Sequence, residues 1–81
     1  MHNFKYHIFN IEGEWLCRPG IDSLKDAVDM AKSICSESFK RRGKELTLYV
    51  ERVNGEWDFE RIRDVFHDGN GVKVVKMQQK I

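Results

Sequence analysis

The chain predicts an α+β fold in two layers, one antiparallel sheet packed on one long helix. Three observations carry that expectation. Apolar residues recur at three- and four-residue steps between positions 24 and 39, the period of an amphipathic helix. Alternating aromatic and β-branched segments flank this stretch, each interrupted by a glycine turn, "IEGEW" at 11–15 and "VNGEW" at 53–57. The 81 residues leave room for a single domain, residues 1–81, with one core. The expected order is β-β-α-β-β, with a fifth strand near the C-terminus.

In chain order, residues 4–11 form the first expected strand. Glu12-Gly13 turns it, and residues 14–18 return with Trp15 and Cys17 on one face. Pro19-Gly20 ends that hairpin, because proline gives no N–H to a ladder. The helix follows, with Leu24, Ala27, Val28, Ala31, Ile34, Cys35 and Phe39 as its apolar stripe. Asp22 or Ser23 caps its start, and Ser23 with Asp26 resembles a capping box. Gly43 stands where a left-handed residue ends a helix.

The second hairpin spans residues 45–66, and Asn54-Gly55 is its natural two-residue turn. That turn sets Glu51 opposite Asp58, Arg52 opposite Trp57 and Val50 opposite Phe59. Leu46, Leu48, Val50, Trp57 and Phe59 would then lie under the helix, leaving Thr47, Tyr49, Glu51, Val53, Glu56, Asp58, Glu60 and Ile62 on the wet face. "HDGNG" at 67–71 is a turn, and "VKVVK" at 72–76 is the further strand.

The formal net charge is +1, yet the charges are segregated. Residues 21–44 hold six bases and four acids, residues 45–68 three bases and seven acids, and the tail from residue 69 three lysines. Such asymmetry can orient a partner. The two cysteines lack a CxxC spacing, and "MHNFKYHIFN" has no apolar run long enough for a secretory signal. No membrane span is expected. The expectation is a cytoplasmic protein with reduced cysteines acting as small buried hydrophobes.

Catalytic chemistry is not expected. His7 beside Cys17 across the first hairpin is the nearest approach to a nucleophile and base, and no third group orients the pair. "DGNG" at 68–71 resembles the middle of a calcium loop. Aligned on Gly71, however, its first and twelfth ligand positions fall on Phe66 and Met77, which carry no carboxylate. Neither a metal nor a cofactor is expected.

Two surfaces remain. Glu56, Asp58, Glu60 and Asp64 share one side of the strand if it runs without a bulge, at a same-face spacing of about 6.6–6.8 Å, near that of successive phosphates. With Tyr49 and Glu51 they form the expected contact for a basic, nucleic-acid-binding type of protein partner. The alternative is an RNA- or DNA-binding module using Lys40, Arg41, Arg42 and Lys44. The same cations also complement the helix dipole at about 0.3–1 kcal/mol each, which accounts for "KRRGK" without a ligand.

The order of a strand pair, then "DSLKDAVDMAK", then a hairpin resembles the small antitoxin domains of the HicB type across about residues 5–50. Size, topology and the acidic face also look like small phage-encoded inhibitors of the anti-CRISPR kind. That resemblance implies a non-enzymatic protein that works by surface contact. A monomer is expected, or a homodimer formed by edge-strand pairing.

Overall fold

A computed structural model describes residues 5–14, 16, 20–55 and 58–77. The helix α1 spans Leu24–Arg42 and is bounded as its sequence dictates. Ser23 adopts extended backbone and its hydroxyl accepts from the Asp26 N–H at 3.4 Å, relieving one of the free donors of the first turn. Gly43 takes φ 64°, and its N–H donates to the Phe39 carbonyl at 2.8 Å. A residue with a Cβ would pay about 1–2 kcal/mol there.

Four strands form one sheet in the order β1-β2-β3-β4, with β1 at Lys5–Asn10, β2 at Thr47–Gly55, β3 at Asp58–His67 and β4 at Val72–Lys76. All neighbours are antiparallel. The element order is therefore β-α-β-β-β, which corrects the expected β-β-α-β-β. The anticipated C-terminal strand is present as β4. Of the strand expected over residues 14–18, Glu14 and Leu16 are described and belong to no strand, while Trp15, Cys17 and Arg18 lie outside the described residues.

The described part of that return still follows the edge of β1. The Asn10 N–H donates to Glu14, the Leu16 N–H to Ile8, and Tyr6 and Ile21 exchange two bonds of 2.8 Å. Three alternate positions of β1 are thus satisfied on the side away from β2. These bonds come at irregular intervals, so the described residues shield the edge without extending the ladder.

One face of the sheet meets the helix. Ile8, Leu48, Val50, Ile62 and Val65 pack there on Ala27, Ala31 and Cys35, all at most 8% exposed. The helix residues at the centre are small and four apart, which lets the backbone settle close to the sheet. Leu24, Val28 and Ile34 border them, and Phe39 stacks on His67 with ring centroids 3.8 Å apart.

The β2–β3 register differs from the one Asn54-Gly55 implies. Gly55 pairs with Asp58, so the connection runs through 56–57, outside the described residues. Val53 faces Phe59, Arg52 faces Glu60, Glu51 faces Arg61 and Leu48 faces Val65, with a register shift between Val50 and Glu51 that leaves Ile62 as the extra residue. Packing decides this. The turn-derived register would set Arg61 opposite Leu48 and leave Ile62 on the wet face. The observed one buries Ile62 and Val65, worth about 1.5–3 kcal/mol each. It also replaces an opposed Glu51–Asp58 pair by opposite charges, at about 0.2–1 kcal/mol per pair. A turn preference does not outweigh both.

Candidate functional site

The sheet face away from the helix is built from alternate residues of three strands. On β1 and β3 the rings of His7, Phe9 and Phe59 meet, with centroids 6.1–6.4 Å apart. Phe9 is nearly sealed although it lies opposite the core, while Phe59 remains 37% exposed. The register correction moves Phe59 here from its expected place under the helix. Gly20 closes against the same corner: a Cβ there would stand 3.1 Å from His7 Nε2 and from Lys5 Cβ. Burial lowers the His7 pKa, so the ring favours its neutral form. Cys17, its expected neighbour, lies outside the described residues.

Beside the rings sits a charged group. Arg61 lies over the Tyr49 ring, its guanidinium carbon 4.2 Å from the centroid, a contact worth about 0.5–1 kcal/mol at an exposed site. The same guanidinium forks onto Asp64, with Nε and Nη2 reaching the two carboxylate oxygens at 2.9 and 3.1 Å. In the turn-derived register, with Glu60 and Ile62 on the wet face, Arg61 between them would point away from it; the shift at Ile62 brings it round.

Glu51 faces Arg61 across the ladder. Arg61 is committed to Asp64, however, and Glu51 has no ion pair among the described residues. It is half-buried. That burial raises its carboxyl pKa, and the Arg61 charge only partly offsets the effect.

Of the six residues expected to share one face, only Glu60 is placed on the other side. Tyr49, Glu51 and Asp64 share the open face. Glu60 pairs with Arg52, which alternates with Val50 and Leu48 on the helix side. Tyr49 accordingly neighbours Asp64, not Glu60, and Arg52 opposes Glu60, not Trp57. Glu56 lies outside the described residues, and Asp58 is described only through its backbone pairing with Gly55. The bulge, which the acidic stripe required to be absent, separates the two halves of the strand.

The alternative surface is intact as a cluster. Lys40, Arg41, Arg42 and Lys44 are all exposed at the end of α1. Arg41 pairs with Glu37 at 3.3 Å. Lys40, Arg42 and Lys44 have no ion-pair partner among the described residues. The 67–71 turn spends its own polar groups: the Asp68 carboxylate accepts from the Asn70 and Gly71 N–H groups at 2.9 and 3.1 Å, which lowers its pKa.

One sequence signal had pointed to the rearrangement. Ile62 and Val65 are both core-type residues three apart in one strand, and an even-numbered spacing is needed to share a face unless a bulge intervenes. No family model, curated protein or solved structure matches the chain. Among the described residues no helix is long and apolar enough to cross a membrane.

Proposed function

We propose that this chain is a non-enzymatic binding protein that engages a basic protein surface through the open face of its sheet, with Tyr49 and Glu51 at the centre and the Arg61–Asp64 pair beside them. The observation that carries this reading is Glu51. It is a half-buried carboxylate that faces His7 on β1 and Arg61 on β3, and the Arg61 guanidinium is engaged with Asp64. A lysine or arginine from a partner would supply the missing counter-charge. Tyr49 offers a ring already ordered by Arg61, and aromatic and arginine side chains dominate the energetics of protein interfaces.

This keeps part of the sequence expectation and drops the phosphate-like stripe. An inhibitor acting by surface contact, as in the phage proteins the sequence resembles, needs no more than such a face. A cytoplasmic setting fits Cys35, a buried unpaired thiol.

The test is affinity capture from nuclease-treated lysate of the source cells, comparing the wild-type chain with Tyr49→Ala and Glu51→Gln. Loss of a central contact of about 2 kcal/mol predicts roughly 30-fold weaker retention. Circular dichroism would verify that both variants fold. Retention equal to wild type in both would exclude this face.

A further inference from the structure

The end of the molecule where α1 stops is concave. A groove of about 650 Å³ has Leu16, Ile34 and Leu46 among its lining residues, together with Arg41, Arg42 and Lys44. A second hollow of about 330 Å³ shares Asn10, Lys44 and Leu46 with it and extends it past Ile11. Ile11 is 65% exposed and Leu16 38%, so two of the bare apolar side chains of this small protein stand along one channel.

The local sequence explains the arrangement. The left-handed Gly43 reverses the chain at the end of α1, so Lys44 and Leu46 join Arg42 around the same hollow. The Leu46 carbonyl is fixed from below, accepting from the His67 N–H at 3.1 Å and from the Cys35 thiol at 3.5 Å. Arg41 is partly neutralised by Glu37, but Arg42 and Lys44 are not paired among the described residues. An apolar floor with unneutralised cations on its rim is incomplete in two chemistries at once.

We propose that this groove binds an acidic peptide segment of a partner protein, with leucine-like side chains on Leu16, Ile34 and Leu46 and carboxylates on Arg42 and Lys44. Charge complementarity selects the acidic occupant, and the floor selects one with apolar side chains. The groove falls in the volume range of ordinary ligand sites, about 300–1,000 Å³, and the acidic part of the occupant belongs there, since Glu12 and Glu45 line the continuation. Nucleic acid fits less well, because no described aromatic ring lines either hollow to stack a base. The site lies apart from the open sheet face and stands or falls independently of it.

The test pans a displayed library of random 12-residue peptides on the full chain, with dT12 as the nucleic-acid probe. Enriched peptides should combine Asp or Glu with Leu, Ile, Met or Phe. Their affinity should fall at least about tenfold on Arg42→Glu, on Lys44→Glu and on Leu16→Ser, since a desolvated charge or apolar anchor contributes about 1.4 kcal/mol or more. These positions are at the surface, and circular dichroism would verify the fold of each variant. The proposal is overturned if no peptide enriches, if enriched peptides lack acidic residues, or if the three replacements leave binding unchanged. It is equally overturned if dT12 binds more tightly than every peptide and loses affinity on the same charge reversals, which would make the cluster a nucleic-acid site.

Discussion

Leu48→Ala is expected to destabilise the fold by about 2–5 kcal/mol, the range for truncating a buried leucine. Leu48 is fully buried and lies on the central strand β2, paired with Val65 on one side and Asn10 on the other. An 81-residue domain has roughly 4–12 kcal/mol of stability in total, so this one replacement removes a large share of it. A fall of roughly 10–30 °C in the melting midpoint should follow. Urea unfolding followed by circular dichroism measures it. A loss under about 1 kcal/mol would mean that the β2–β3 register does not seal Leu48 against Val65.

Cys35 should resist alkylation in the native protein. Its thiol is fully buried beneath α1 and its hydrogen is shared between the carbonyls of Leu46 and Val65, each 3.5 Å away. Burial raises its pKa from 9.0 to about 11. The thiolate is the reactive form, so at pH 8 that shift alone slows reaction with iodoacetamide by roughly 100-fold, before access is counted. Peptide mapping by mass spectrometry separates Cys35 from Cys17, and urea-unfolded chain gives the reference rate. Equal native and unfolded rates would contradict the packing. The linked effect on stability has a defined sign. The folded state favours the protonated thiol, so this contribution is complete below pH 9 and is lost as pH rises from about 9 to about 11.

The helix was readable from sequence because several signals agree on it: the apolar period, a serine cap, a C-terminal glycine and the charge order at its ends. The C-terminal strand was readable from its valines. The hairpin register was not. Asn54-Gly55 is a local preference, whereas the register depends on where Ile62 and Val65 find burial against a helix some 20 or more residues earlier. That conflict also took Glu60 out of the expected acidic stripe, because one extra residue in β3 turned Arg61 toward Tyr49 and set Glu60 against Arg52. Charges can be located along a sequence, but their face depends on every bulge between them. Lys40, Arg41 and Arg42 stayed together because they lie on a helix, where the 3.6-residue period leaves no register to slip, and Lys44 follows directly after its cap. The cluster's neighbour in the groove, Leu16, comes from a segment distant in sequence, and the two carried no joint signal.

The shielded edge of β1 limits how copies of this protein could combine. Glu14, Leu16 and Ile21 already bond to the outer side of that strand, and among the described residues no strand lies beyond β4. Two chains joining through their sheets would therefore meet β4 to β4, related by a two-fold axis, with Lys73 and Lys76 discouraging the approach. Both outward edges of such a pair would be the shielded ones, leaving no acceptor for a third chain. Sheet-mediated association therefore closes at two, and a larger species in sedimentation would have to use another surface. In polymer terms the described sheet is monofunctional, with one open edge through which to terminate a β-assembly and no second one to propagate it.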